Sequence, residues 1–121
     1  AYMVAGKGRF DTVAMQAGAE VAKRTGAPLF VTKTGAEGVH AAILPGHGDR
    51  PALGVGLKVE DGAKRASDTV MAHLLKFLGR LDAPAEVDLA GFLTPPVTNA
   101  AGDVVGKIRL RASWDAVDRA I

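Results

Sequence analysis

Lysine, threonine and glycine follow one another at Lys33, Thr34 and Gly35, closing a run of apolar and β-branched residues that includes Phe30, Val31 and Thr32. A strand ending on this triplet carries a primary amine into whatever site lies beyond it, and a glycine there admits close backbone approach. Such a triplet is one of three elements that recur where a serine performs acyl transfer while a lysine manages its proton. The other two, a Ser-x-x-Lys nucleophile and a Ser-x-Asn-like element, are missing: the only serines are Ser67 and Ser113, and neither has a lysine three residues on. An enzyme built on the triplet would have to take its nucleophile from outside these 121 residues.

Other side chains with chemical capacity surround the triplet. Glu37, set between Gly35 and Gly38, can pair with Lys33 or a substrate ammonium, or it can be a solvated turn carboxylate. Arg9 can hold a carboxylate with two parallel hydrogen bonds, or tie the leading loop to a helix end. Lys58, Glu60, Asp61, Gly62 and Arg65 read as a strand-to-helix junction in which Asp61 caps the helix and Lys58 pairs with Glu60 or Asp61. His40 has no second histidine at metal-ligand spacing and reads as a packing or surface residue. His47 and Asp49 share a glycine-rich loop, a weak metal signal. His73 belongs to an apolar helix stripe.

The elements that must position these groups follow from periodicity and punctuation. Residues 10–26 read as a helix with Asp11 or Thr12 as its cap, Lys23 and Arg24 in its last turn, Gly26 as its stop, and Val13, Ala17 and Val21 along one face. Residues 29–33, 39–44 and 53–59 are strand candidates forming an antiparallel set, the last two joined by a loop over 45–51. A long helix over 63–78 follows, with Ala66, Val70, His73, Leu74 and Phe77 at helical spacing and Gly79 as its stop. Beyond it, 82–89 reads as a short turn or helix, Pro95 and Pro96 as an extended passage, 99–103 as a turn, and 105–111 as a half-buried final strand. The fold class is α+β, with helices on one face of an antiparallel sheet. Residues 1–80 form a helix–sheet–helix unit and 81–121 an extension within a single domain.

Composition narrows the function classes. At 121 residues and 48% hydrophobic content, one core-forming domain is expected. The net charge of +2 arises from 15 basic and 13 acidic residues spread along the chain, and only 5% of residues are aromatic. Neither a basic track for a phosphate backbone nor a set of rings for base stacking is present, so nucleic acid is not an expected partner. With no cysteine, disulfides, thiolate chemistry and cysteine zinc sites within the chain are excluded. No apolar stretch is long enough to span a bilayer and no signal-peptide series opens the chain, so no membrane is expected and the location expected is cytoplasmic. The start, Ala1 to Gly6, reads as a segment entered midway, which suits a truncated chain.

Four stretches point in one direction: Met3 to Thr12 with Gly6, Gly8, Arg9, Phe10 and Asp11; Lys33 to Val39; Gly54 to Gly62 with Arg65 following; and Asn99 to Arg109. Together they resemble the C-terminal part of the L-asparaginase II family over nearly the whole chain. The resemblance implies a fold like that of serine β-lactamases and penicillin-binding proteins, here in part, and hydrolysis of the side-chain amide of L-asparagine to aspartate and ammonia. It also implies two serine–lysine pairs, one wholly in an N-terminal part absent here, the other drawing its lysine from Lys33. Thr34 and Gly35 would then line the substrate groove, with Glu37 beside them and Arg9 and Lys58 in support. Paired subunits, a homodimer, are implied as well. Some relatives hold zinc and carry a cysteine in the stretch where this chain has Asp11 and Thr12, and a single hard oxygen ligand makes a poorer zinc site. Two further readings stand beside this one: a non-catalytic binding or assembly module on the same scaffold, and a β-lactamase-like or glutaminase-like acyl transferase sharing the triplet.

Overall fold

The computed structural model describes residues 8–108. Helix α1 (Arg9–Thr25) leads into β1 (Val31–Thr34), β2 (Val39–Leu44) and β3 (Leu53–Lys58), followed by α2 (Lys64–Phe77), α3 (Ala83–Asp88), α4 (Ala90–Leu93), β4 (Pro96–Thr98) and β5 (Val104–Lys107). The first three strands form an antiparallel sheet in the order β1-β2-β3, so among the described residues β1 stands at an edge. The architecture is mixed α and β with small antiparallel sheets, compatible with the α+β class expected.

Helix α1 stops at Gly26, whose φ of 77° lies in the left-handed region and whose N–H returns to Ala22 O at 2.9 Å. Its buried side presents Phe10, Ala14, Ala17 and Val21 to the core, with Val13 half-buried beside them. Gly18 also faces inward because the Phe30 ring lies against it: a Cβ built there would fall 2.7 Å from Phe30 Cε2. The Asp11 expectation changes here. The helix starts at Gly8 without a side-chain cap, and Asp11 lies fully buried, turned toward the sheet.

Strand β2 alternates cleanly, with His40, Ala42 and Leu44 buried and Val39, Ala41 and Ile43 exposed. Its register sets Thr34 opposite His40 and Lys33 opposite Ala41 on one side, and Val39 opposite Lys58 on the other. One face of the sheet therefore packs on α1 and α2, while Lys33, Val39, Ala41, Ile43, Gly54, Gly56 and Lys58 stand on the opposite, exposed face. Strand β1 begins two residues later than expected and includes Thr34; Phe30, just ahead of it, is buried and Leu29 is exposed.

Helix α2 ends as expected before Gly79, at φ 73°, but two details differ. Its N-cap is Ala63, and Asp61 instead accepts the Ala63 N–H at 2.8 Å, a turn leading into the helix rather than its cap. The buried residues are Ser67, Asp68, Thr69, Met71, Ala72 and Leu75, whereas Ala66, Val70, His73, Leu74 and Phe77 are half-buried. The sheet decides which side of the helix faces inward, and three polar residues, Ser67, Asp68 and Thr69, are buried with the apolar ones. His73 sits at the core edge, within 2.9 Å of Leu93 O.

The 82–89 segment forms α3, capped by Asp82, whose side chain accepts the Ala85 N–H and also takes two bonds from Arg24 at 2.7 and 2.8 Å. Ala85, Leu89 and Leu93 join the same buried cluster as Phe10, Met71 and Leu75. The Pro95-Pro96 passage contains β4, which pairs antiparallel with β5 around a turn in which Asn99 Oδ1 accepts the Ala101 and Asp103 N–H groups. The last described strand is thus Val104–Lys107, and it is exposed throughout rather than half-buried; positions 109–111 of the expected strand lie outside the described residues. No described helix is long and apolar enough to cross a membrane.

Candidate functional site

The first turn of α1, the inward positions of β1 and β2, and the first turns of α2 converge on one buried polar column. Thr32 and Thr34 are two apart on β1 and so face the same way, toward α1. Asp11 meets them there. Its Oδ1 accepts the Thr32 hydroxyl at 2.8 Å and faces His40 Nε2 at 3.1 Å; its Oδ2 accepts the Thr34 backbone N–H at 2.9 Å and the Thr34 hydroxyl at 2.8 Å. Burial alone would raise the pKa of this carboxyl, but the Thr34 N–H, the two hydroxyls and His40 together outweigh it and hold the group below the ordinary aspartate value. An ionised Asp11 only accepts, so His40 Nε2 is the donor in that pair.

The other ring nitrogen, His40 Nδ1, faces Asp68 Oδ1 at 3.6 Å, too long for a hydrogen bond, and neither atom has another partner. Burial is the main cause of a raised Asp68 pKa; Lys64 and His40 oppose it and Asp11 reinforces it. Phe10 packs edge-on against the His40 ring with centroids 5.1 Å apart and fixes its plane. The column therefore runs Asp68, His40, Asp11, Thr34, from α2 to the end of β1.

Above Asp68 the surface opens into a cleft of about 330 Å³ lined by Arg9, Lys64, Arg65, Asp68 and Phe92. Arg9 lies over the Phe92 ring, 5.1 Å from its centroid. Both helices that begin at the cleft, α1 and α2, lack a side-chain cap, so their N-terminal partial charges add to the three cations. Gly8, just ahead of α1, lies beside the column: a Cβ there would lie 3.4 Å from Asp11 Oδ2, 3.5 Å from Lys64 Nζ and 3.5 Å from Thr34 Oγ1.

The residues expected from sequence are divided by the sheet. Lys33 is exposed on the face away from α1 and α2. Thr34 turns inward, its hydroxyl engaged by Asp11. Gly35 donates its N–H to Val39 O at 2.7 Å and packs so near Val39 that a Cβ would fall 3.3 Å from that residue's Cβ. Glu37 occupies the turn at φ 57°, and among the described residues no ion pair joins it to Lys33. Lys58 donates to Val59 O at 2.6 Å instead of pairing with Glu60 or Asp61. Arg9 alone of the set reaches the cleft.

His40, read as a packing or surface residue, is buried and stands between two carboxyl groups, hydrogen-bonded to that of Asp11. Asp68, Lys64 and the role of Asp11 were not anticipated. The usable signal was three polar residues at inward strand positions, Thr32, Thr34 and His40, which demand a buried partner. Asp11 is a poor candidate metal ligand because hydrogen bonds occupy both oxygens, and among the described residues no group of three His, Asp or Glu side chains is arranged to hold a metal ion.

A search among curated proteins returns no match. A comparison with family profiles aligns residues 1–110 with L-asparaginase II. That span includes the triplet, the column and the cleft, and covers well over half of the 121 residues; the chain belongs to the L-asparaginase II family.

Proposed function

We propose that this chain supplies Lys33 and part of the substrate groove to an amidohydrolase that converts L-asparagine to L-aspartate and ammonia by serine–lysine acyl transfer, with the nucleophilic serine outside this chain. The observation that carries the reading is the triplet Lys33-Thr34-Gly35 at the end of β1, an edge strand among the described residues, in a chain of this family. An edge strand offers unpaired backbone groups to an extended ligand or a neighbouring segment. The exposed face holding Lys33 is smooth, because Ala41, Gly54 and Gly56 surround it and a Cβ at either glycine would meet open space.

In the reaction proposed, the serine oxygen attacks the side-chain amide carbon of asparagine and its proton passes to an amine. The C–N bond breaks, ammonia leaves with a proton, and water hydrolyses the resulting ester to release aspartate. Lys33 holds the second serine in the proton relay and adds positive potential near the oxyanion. A lysine does this when burial and nearby cations disfavour its charged form; covering of the Lys33 face by the serine-bearing part would provide that. Thr34 contributes through its position, since its hydroxyl is committed to Asp11, and Glu37, in the turn after the triplet, pairs with the substrate ammonium in this reading. Ser67 is unsuited as the nucleophile: it is buried in α2 and donates to Lys64 O at 2.9 Å.

The test is ammonia release from L-asparagine by the longest parent reading frame and by this chain, each beside its Lys33→Ala version. Activity confined to the parent, and reduced roughly 10²-fold or more by the substitution, is expected for a lost proton-transfer group. A parent whose activity survives Lys33→Ala would remove Lys33 from the mechanism. A parent with no activity would favour a non-catalytic module.

A further inference from the structure

We propose that Asp11 is a positioning residue for Lys33: its carboxylate grips the two residues that flank the lysine, and His40 holds that carboxylate in line. The proposal rests on the acyl-transfer reading of Lys33. Asp11, fully buried behind the sheet, acts through the backbone and not on the substrate.

Three observations converge. Lys33 itself has little to lean on. It is exposed, in a row with Ala41 and Gly56 across the sheet, and a Cβ at Gly56 would meet open space. A flexible four-carbon stem on such a face takes its direction from its root, so the backbone at Lys33 must be fixed for the amine to come within hydrogen-bond reach of a serine oxygen.

The second observation is where the fixing groups come from. Gly35 donates its N–H to Val39 O on β2 at 2.7 Å. Backbone groups alternate sides along an antiparallel strand, so the Thr34 N–H points away from β2, toward the edge that is open among the described residues. No ladder bond holds it there. Asp11 Oδ2 does, accepting that N–H at 2.9 Å and the Thr34 hydroxyl at 2.8 Å. The Thr34 N–H and the Lys33 C=O share one rigid peptide plane, so the carboxylate sets the plane on which Lys33 is mounted. On the other side of the lysine, Oδ1 takes the Thr32 hydroxyl at 2.8 Å.

The third is the support given to Asp11. His40, paired across the strands with Thr34, meets Oδ1 from Nε2 at 3.1 Å, and the Phe10 ring lies edge-on to the imidazole. Asp11, Thr32, His40 and Phe10 are all 0% exposed. Burying a carboxylate is costly, and here its bonds converge on one point of the chain, the strand end that carries the triplet. Without Asp11 the peptide between Lys33 and Thr34 is held from one side only, and a tilt at the root is magnified at the amine.

Two measurements test this. In this chain, amide hydrogen exchange followed by NMR should be accelerated by Asp11→Ala at least tenfold more at Thr34 than at Gly35, whose N–H is bonded to β2. Equal acceleration at the two, or none at Thr34, would overturn the proposal whatever the reaction. In the parent reading frame, Asp11→Ala is expected to lower kcat roughly 10²-fold with KM within about threefold, and to move the limb of the pH–rate profile that reports the lysine. Asp11→Asn keeps an acceptor for the Thr34 N–H and should recover roughly tenfold of that loss. Asp82→Ala is the control: it removes the cap of α3 and the partner of Arg24, about 20 Å along α1 from Asp11, and should leave kcat per folded molecule and the pH profile as they are. A loss from Asp11→Ala no larger than that from Asp82→Ala, or an unmoved pH profile, would overturn the positioning role even where Lys33→Ala abolishes turnover. Turnover that survives Lys33→Ala would instead overturn the acyl-transfer reading, and the proposal with it.

Discussion

Replacing Asp11 with alanine tests the column most directly. Asp11 is fully buried and accepts four hydrogen bonds, two from hydroxyls that can rotate to other partners and two from groups that cannot, the Thr34 N–H and the His40 ring. Stranding a buried donor costs about 1–3 kcal/mol, so two of them set a loss of roughly 2–6 kcal/mol, less what is recovered by no longer burying a carboxylate. A net loss of about 3 kcal/mol is expected at pH 7. For a small domain with a urea slope near 1–2 kcal/mol/M, the unfolding midpoint then falls by roughly 2 M. The sign of the pH dependence follows from the depressed pKa. Stabilisation by Asp11 is fully present above the unfolded-state pKa of ~3.9 and is lost as pH falls through the lower folded value. Urea titrations followed by circular dichroism should therefore show a constant gap between the unaltered chain and Asp11→Ala from pH 7 to about pH 5, narrowing below about pH 4. A loss under about 1 kcal/mol at pH 7, or a gap that persists unchanged at pH 3, would refute the claim that an ionised Asp11 holds this end of the sheet.

Asp68 should behave in the opposite sense, because burial raises its pKa: its contribution is present below ~3.9 and is lost as pH rises through the higher folded value. Asp68→Asn is accordingly expected to match or exceed the unaltered chain in thermal stability at pH 7 and to show no advantage at pH 3.5; a marked loss at pH 7 would contradict this. Gly18→Ala should destabilise by about 1–2 kcal/mol, since the gain in helix propensity of ~1 kcal/mol is outweighed by overpacking against the Phe30 ring at 2.7 Å. Pairing it with Phe30→Leu should recover part of that loss in a denaturation double-mutant cycle. Thr34→Val removes one hydroxyl from Asp11 Oδ2 while keeping the backbone N–H, so a loss of about 1 kcal/mol is expected, with the acid transition measured by fluorescence moving to higher pH.

Much of the secondary structure could be read locally. Gly26 and Gly79 end their helices because each adopts a positive φ that other residues resist, and β2 announces itself by strict alternation. Where expectation and structure part, a longer-range partner has intervened. Asp11 has the chemistry of a cap and sits in the first turn of a helix, yet Thr32 and Thr34, more than twenty residues away, offer it more hydrogen bonds than the helix end does. The apolar line through Val70, Leu74 and Phe77 gives the natural core face of an isolated helix, but the sheet buries Ser67 and Asp68 instead so that Asp68 can meet His40.

The sequence by itself therefore determined the order and kind of most elements, the family, and the lysine triplet at a strand end, because these depend on residues near one another in the chain. Only the tertiary structure decided that Lys33 and Arg9 stand on opposite sides of the sheet, that Asp11, His40 and Asp68 form one buried column, and that three cations and two helix N-termini share a cleft. Those outcomes rest on strand register and on which helix face meets the sheet, and a single step in either would send the same side chains to the other side.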